Sequence, residues 1–164
     1  MPDVRGGGSS ATELPIDQRI GNVVKRAEQA LMARKSQALR TVGLTVPQYT
    51  ALMVLADHPG LSGAQLARRC FVTPQTMAAL LANLEAKALV TRRPSAVHAQ
   101  VMQTALTRQG RALLRKADRL AVAIETNLAE AFPEPERTRL MEMLEQVTRV
   151  LEDGDRPDPA DPSA

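Results

Sequence analysis

The stretch Gln65–Leu84, QLARRCFVTPQTMAALLANL, predicts two short helices joined by a tight turn. Thr73 can cap the second helix and Pro74 can occupy its first position, where proline is tolerated. Small Ala67 lies where the two helices would touch. Apolar side chains recur at the positions where the helices would face each other, namely Leu66, Cys70, Val72, Met77 and Leu80. The stretch therefore predicts a helix-turn-helix unit.

The second helix of this unit carries the candidate DNA contacts. In a DNA-binding helix-turn-helix, the first residues of the second helix point at base edges in the major groove. A glutamine can pair with adenine, and a threonine methyl group can pack on the methyl group of thymine. Helix-turn-helix packing also occurs in proteins that bind no DNA, so both interpretations stay open for this unit alone. The candidate base contacts are Thr73, Pro74, Gln75, Thr76 and Ala79.

A basic hairpin is predicted directly after the unit. The segments 89–93 and 100–106 have extended character, and Pro94-Ser95-Ala96 resembles a turn. A basic hairpin after such a helix is typical of a wing, which contacts phosphates or the minor groove. A solvated charged surface is the alternative for these arginines. The predicted phosphate contacts are Arg92 and Arg93 in the hairpin, with Arg68 and Arg69 in the first helix of the unit.

The rest of the ordered chain is predicted to be helical. A long amphipathic helix is expected from about Ile16 to Val42, with Gly43 as its stop. Thr45 begins another helix, Thr107 caps one that reaches about Ala131, and a last helix continues to about Leu151. The predicted fold is mostly α with a small β-hairpin wing: a winged helix-turn-helix lobe over residues 44–107 and long helices on either side, over 16–43 and 107–152.

Composition limits the class of protein. The 164 residues suit one domain, and the 44% hydrophobic but only 2% aromatic content favours an aliphatic, helical core. Segments 1–15 and 153–164 are rich in Gly, Ser, Pro or Asp and are predicted to be disordered. The net charge is +3, with a basic body and an acidic C-terminal end, which is compatible with a polyanionic partner.

Several other classes of protein are not favoured. The single cysteine, Cys70, cannot form an internal disulfide, which fits a reducing, cytoplasmic setting. No apolar run approaches the roughly 18 residues of a membrane span, and the N-terminus does not resemble a signal peptide. We find no glycine-rich phosphate loop, metal-ligand cluster or nucleophile–base set, so no enzymatic activity and no cofactor are expected.

The arrangement resembles the MarR family (multiple-antibiotic-resistance regulators) over about residues 16–151. This resemblance implies a homodimer held by the first, fifth and sixth helices, with two winged lobes on a palindromic double-stranded DNA site. Many members are repressors that a small ligand releases, so a small-molecule effector is a further implied partner. The matching segments are Leu44-Thr45-Val46-Pro47-Gln48-Tyr49, Leu66-Ala67, Thr73-Pro74-Gln75-Thr76-Met77, Asn83-Leu84-Glu85-Ala86-Lys87-Ala88-Leu89-Val90 and Leu106-Thr107-Arg108-Gln109-Gly110.

The chain also departs from the family pattern. His98-Ala99-Gln100 stands where the family usually has Asp-Arg-Arg, so Gln100 replaces the wing arginine that enters the minor groove. Ala79 and Asn83 stand where many members carry arginines. Fewer phosphate contacts lower both affinity and its salt dependence, so weaker or less salt-sensitive DNA binding is predicted. The alternative function is a MarR-like dimer that has lost strong DNA readout and acts as a protein-interaction or ligand-binding module.

Two further hypotheses concern small-molecule sensing. The resemblance implies a ligand pocket where the first and second helices meet, with plain core packing as the alternative. Cys70, beside Arg69, could sense oxidants, although a free cysteine on an apolar stripe is usually a core residue. The implied ligand-binding residues are Met32, Arg40, Tyr49 and Met53.

Overall fold

The computed structural model describes residues 15–95 and 100–153. The terminal segments predicted to be disordered lie outside the described residues, apart from Pro15 and Asp153, and so does His98 in the wing. The elements are α1 (Ile20–Arg40), α2 (Val46–Asp57), β1 (Leu61–Ser62), α3 (Gly63–Arg69), α4 (Pro74–Ala86), β2 (Val90–Pro94), β3 (Met102–Leu106), α5 (Arg108–Glu130) and α6 (Glu136–Asp153). A 3-10 turn, Ile16–Gln18, precedes α1.

The predicted fold class is confirmed: the chain is mostly helical with a small antiparallel sheet. The sheet has three strands in the order β1-β3-β2, so the sequence prediction of a two-stranded hairpin missed β1. Leu61 of β1 lies opposite Thr104 of β3, and Ser62 lies opposite Gln103. A two-residue strand that runs into a helix cap is too short to show an alternating pattern.

Pro94 was predicted in a turn, but it ends β2 opposite Met102. The order of strands explains why proline is tolerated there, because β2 lies at the edge of the sheet and its outer side needs no N–H donor. The next residue closes the ladder, since the backbone N–H of Ser95 donates to the carbonyl of Val101 at 2.8 Å. Strand β2 therefore extends one residue further than predicted.

The starts of α2, α3 and α4 are all capped by hydroxyl side chains, including the predicted cap at Thr73. Thr45 and Gln48 form a reciprocal capping box at α2, and Ser62 forms a second one at α3. Thr73 accepts a hydrogen bond from the N–H of Thr76 at α4. Each cap satisfies backbone donors that the first turn of a helix leaves open. Gly43 adopts φ of 73°, as a helix stop requires.

An aliphatic core fills the lobe. Leu80 and Cys70 were expected to face inward but are only half-buried, and Met53, which follows the apolar spacing of α2, is exposed. The buried side of α2 is centred on Ala51 and Leu52, and Met53 lies about 100° around the helix from Leu52. The fully buried large side chains are Leu39, Leu44, Leu52, Leu55, Leu66, Met77, Leu81, Leu84, Leu89, Val90 and Thr104.

The contacts between residues divide the chain after Asp118 into two compact units, and the second unit consists of α6 and the C-terminal part of α5.

The surface of the second unit is partly polar and partly apolar. On α6, for example, Arg139 and Glu142 form an ion pair at 3.5 Å. None of the helices in residues 15–95 and 100–153 combines the length and apolarity needed to cross a membrane. Large apolar side chains are exposed in the second unit, namely Val122, Leu128, Met141, Met143, Leu144, Val150 and Leu151.

Candidate DNA-binding surface

The first turns of α4 present an uncharged polar surface to solvent. The hydroxyl of Thr73 accepts from the N–H of Thr76 at 3.1 Å and lies 2.9 Å from the hydroxyl of Thr76. The carboxamide of Gln75 is exposed beside them. The structure brings together the candidate base contacts at this end of the helix, and all of them are exposed: Thr73, Pro74, Gln75, Thr76 and Ala79.

The opposite face of α4 anchors the helix in the lobe. Met77, Leu81 and Leu84 are at most 1% exposed. Burying three such side chains stabilises the position of α4 by several kcal/mol, on the scale of about 1.5–3 kcal/mol for each. The exposed N-terminal turns are therefore held on a rigid support.

A hydrogen bond that the sequence did not reveal joins α4 to α2. Nε2 of Gln48 donates to Oδ1 of Asn83 at 2.7 Å, while Oε1 of Gln48 accepts from the N–H of Thr45 at 3.0 Å. One buried side chain thus closes the cap of α2 and holds the C-terminal half of α4. The capping box was recognisable from the Thr-x-x-Gln spacing, but no local signal connects residues 35 positions apart.

Replacing Gln48 with alanine is expected to lower the free energy of unfolding by about 2 kcal/mol, because it removes half of a capping box and one buried hydrogen bond. Urea unfolding measures the change. Gln37, exposed on α1, provides the matched control, and its replacement by alanine is expected to change stability by less than about 0.5 kcal/mol. Equal effects of the two substitutions would contradict this role of Gln48.

Three of the four candidate phosphate-binding arginines are exposed. Arg68 and Arg69 lie in the last turn of α3, and Nη1 of Arg69 lies 3.2 Å from Nε2 of His58. Arg93 is exposed on β2, but Arg92 is half-buried because alternate residues of a strand point to opposite faces. The two wing arginines therefore project in opposite directions.

Arg92 lies on the inner face of the sheet with Val90. It pairs across the strands with Thr104, which is completely buried. Nε of Arg92 and Oγ1 of Thr104 are buried without a hydrogen-bond partner among residues 15–95 and 100–153. Of the two wing arginines, only Arg93 is exposed to solvent.

The structure also shows where the chain departs from the family pattern in the wing and on α4. Gln100 is exposed in the turn before β3. The only charged side chain between Pro74 and Ala86 is that of Glu85. Lys87, the first basic residue after α4, donates from Nζ to the carbonyl of Gly43 at 3.2 Å. The exposed surface of α4 thus offers polar and small apolar contacts rather than positive charge.

The four implied ligand-binding residues differ in their exposure. Tyr49 is 8% exposed and donates from its hydroxyl to Oδ1 of Asp118 at 2.7 Å. Met32 is half-buried, whereas Arg40 and Met53 are exposed. None of the four lines either of two cavities: a hollow of about 680 Å³ in the second unit and one of about 200 Å³ in the lobe.

Cys70 lies at the end of α3 and lines the smaller cavity. The other lining residues are Val46, Pro47, Thr50, Val72 and Leu80. This surrounding is mostly apolar, and burial raises the pKa of the Cys70 thiol above its ordinary value. A raised pKa leaves less thiolate at neutral pH, and the thiolate is the reactive form. The environment of Cys70 favours an unreactive thiol over an oxidant sensor.

We expect iodoacetamide to alkylate Cys70 more slowly at neutral pH than it alkylates a free cysteine peptide, because burial disfavours the thiolate. Mass spectrometry measures the rate, and the urea-unfolded chain serves as the control, in which the difference should disappear. Alkylation faster than that of the peptide would show an activated thiol and restore the hypothesis of oxidant sensing.

A helix-turn-helix whose second helix exposes its N-terminal turns, followed by a sheet that carries exposed arginine, defines the winged-helix class of DNA-binding proteins. The model of the MarR family matches residues 42–100. The HTH-type transcriptional repressor Rv2887 of Mycobacterium tuberculosis is 34% identical over 134 residues, which cover 82% of this chain and 96% of that protein. The chain belongs to the MarR family and is a DNA-binding transcription regulator.

Solved structures of two relatives support the comparison. The complex of Rv2887 with DNA has a TM-score of 0.66 at 33% identity and covers 79% of this chain and 97% of the relative. The repressor CouR bound to a 23-mer DNA duplex has a TM-score of 0.75 at 26% identity, covering 81% and 94%. Rv2887 has also been solved with salicylic acid, with a TM-score of 0.63 at 33% identity, covering 79% and 96%.

Proposed function

We propose that this regulator is a homodimeric repressor that acts by binding rather than catalysis, occupies a palindromic site and releases it when a small aromatic acid binds. The observation that carries the proposal is the exposed polar N-terminus of α4, held on a buried face beside an arginine-bearing sheet. A repressor acts by occupying its site, so it needs a rigid reading surface and no catalytic group. The reducing, cytoplasmic setting expected from the sequence is part of the same proposal.

The apolar surface of the second unit supports the homodimer. A single chain leaves Leu128, Leu144 and Leu151 at 46%, 46% and 71% exposure. The hollow of about 680 Å³ between Phe132 and Met143 has a mostly apolar lining. Helices with exposed apolar stripes of this length need a partner surface, and in the MarR family a second copy supplies it.

Each candidate DNA contact takes a role that its exposure permits. Gln75, Thr76 and Ala79 would meet base edges in the major groove, where glutamine pairs with adenine and methyl groups pack on thymine. Arg68 and Arg69 would neutralise phosphates beside the helix, while Arg93 and Gln100 would be the wing residues nearest to the DNA. Arg92, which lies on the inner face of the sheet, would not reach the DNA in this arrangement. Thr73 and Pro74 would face base edges at the N-terminus of the same helix.

The release step involves the four ligand-binding residues that the family resemblance implies. Rv2887 binds salicylic acid, a small aromatic carboxylic acid. In this chain the exposed guanidinium of Arg40 could pair with a carboxylate, and Met32 and Met53 could cover a ring. Tyr49 would connect such a ligand to α5 through Asp118, because its hydroxyl already donates to that carboxylate.

Fluorescence anisotropy with the DNA upstream of the protein's own gene tests the proposal, with an unrelated duplex as the control. Tight binding that favours the upstream duplex is expected, with half-sites about one helical turn apart. Arg68, Arg69 and Arg93 would give six phosphate contacts in a dimer, so log K against log salt should have a slope of roughly −5. Salicylate should weaken the complex, and replacing Arg40 with alanine should reduce that effect.

A second function is favoured by one observation, namely the absence of Lys and Arg from α4. A MarR-like dimer without strong DNA readout could act as a protein-interaction or ligand-binding module. Equal, weak binding to the upstream and unrelated duplexes would overturn the repressor proposal in favour of this alternative.

A further inference from the structure

Phe71 is the most exposed large apolar residue among those that the structure describes. It is 96% exposed and lies in the turn between α3 and α4. Single exposed apolar residues are common and by themselves indicate nothing. Phe71, however, also has φ of 54°, in the left-handed region. Bulky residues are rare in this region, and such outliers concentrate at functional sites.

The local fold does not use the ring. The backbone N–H of Phe71 donates to the carbonyl of Arg68 at 3.3 Å, and the N–H of Val72 donates to the carbonyl of Ala67 at 3.1 Å. Both hydrogen bonds are made by the backbone, so a glycine could make them without left-handed strain. The turn therefore carries an exposed aromatic side chain on a strained backbone, although its hydrogen bonds require only backbone groups.

The position of Phe71 relates it to the reading surface. Only Val72 separates it from Thr73, so the Cα atoms of Phe71 and Thr73 lie at most about 7.6 Å apart. Arg68 and Arg69 precede it in the last turn of α3, and both are exposed. A side chain with this placement is next to the N-terminus of α4, which the proposed function directs into the major groove.

The major groove of DNA offers one kind of group that the apolar ring of Phe71 could contact. The base edges in the major groove present hydrogen-bond donors and acceptors and one apolar group, the C5 methyl of thymine. Phenylalanine is among the side chains that contact this methyl group in DNA complexes. The ring of Phe71 is exposed to water in the free protein, and packing it on a thymine methyl group would bury part of its apolar surface.

We propose that Phe71 is a specificity-determining residue that packs its ring on a thymine methyl group at the edge of the half-site read by α4. This inference rests on the proposed DNA-binding function and adds a residue to its readout. The proposed contact explains why a strained position carries an exposed aromatic ring. It also adds an apolar contact to a reading surface whose helix α4 contains no Lys or Arg.

Phe71→Gly is the decisive variant, because it removes the ring and suits the left-handed backbone. Its unfolding midpoint should be unchanged or raised by a few degrees, so weaker binding could not be attributed to unfolding. Ala88 provides the matched control, since it is the other described non-glycine residue at φ of 54°. Ala88→Gly relieves the same kind of strain at the opposite end of α4 and should leave DNA affinity unchanged.

The binding assay uses the tightest duplex that the wild-type protein selects from a random pool. Phe71→Gly should lower affinity for it roughly tenfold without changing the salt slope, because an apolar contact releases no counterions. Phe71→Leu, which keeps an apolar side chain, should retain most of the affinity. Each thymine of the half-site is then replaced by deoxyuridine, which removes only the methyl group. One replacement should weaken the wild-type protein about fourfold and leave Phe71→Gly unaffected.

The outcomes separate this inference from the function on which it rests. Failure of the wild-type protein to prefer any duplex would overturn both. Specific binding by the wild-type protein and equal binding by Phe71→Gly would overturn the inference alone. A loss of affinity in Phe71→Gly without any uracil-sensitive position, or a changed oligomeric state with DNA binding intact, would also overturn the thymine contact.

Discussion

Replacing Gly110 with alanine is expected to lower the free energy of unfolding by about 3 kcal/mol or more, among the largest effects of any single methyl group in this chain. A Cβ atom at Gly110 would lie 2.0 Å from the carbonyl oxygen of Leu89. That oxygen cannot move aside cheaply, because it accepts from the N–H of Thr107 at 3.0 Å and lies 3.2 Å from the Thr107 hydroxyl. The close approach joins the start of α5 to the beginning of the wing.

Urea unfolding followed by circular dichroism measures this effect. Gly21→Ala is the matched control, because Gly21 lies in α1 and a Cβ there would meet nothing within 4 Å. That variant should be unchanged or more stable by up to about 1 kcal/mol, as alanine favours a helix. Equal stabilities of the two variants would show that α5 can shift away from Leu89 at little cost.

Replacing Gln100 with arginine is expected to tighten DNA binding by roughly fiftyfold at 0.1 M salt, because a dimer would gain two phosphate contacts. The same two contacts should steepen the plot of log K against log salt by about 2. Gln100 is exposed in the turn before β3, so the larger side chain needs no space in the core. Stability should change by less than about 0.5 kcal/mol.

Anisotropy titrations at three salt concentrations measure both quantities. Gln29→Arg, on the exposed surface of α1, adds the same charge at a site outside the wing. It should tighten binding far less than Gln100→Arg. If the two variants gain equally, total charge rather than a wing contact determines the change, and Gln100 does not lie at the DNA.

The sequence was sufficient to predict the helices and the class of fold, because the signals for them are local. Three hydroxyl caps and the glycine stop at Gly43 each depend on residues within one helical turn. The three- to four-residue spacing of Leu, Met and Ala identified the inner faces of α3 and α4. The candidate base contacts at Thr73 and Gln75 followed from that pattern, since residues at the N-terminus of the second helix must face away from the core.

The features that the sequence did not predict depend on contacts between distant segments. Strand β1 exists because Leu61 meets Thr104, and its two residues have no pattern of their own. Met53 follows the apolar spacing of α2, but the lobe buries the side centred on Leu52. Which of Arg92 and Arg93 points inward depends on which face of β2 covers the core, and the sequence of a short strand does not specify this.

The hydrogen bond between Gln48 and Asn83 also constrains how the protein can evolve. The resemblance to the MarR family implies arginine at the position of Asn83 in many members, yet that change here would remove the acceptor for a buried amide. The first step towards the common family residue is therefore expected to lower fitness unless position 48 changes as well. The two positions form an epistatic pair, so lineages that share this pair are expected to retain both residues or exchange both, and to diverge in operator preference when they do.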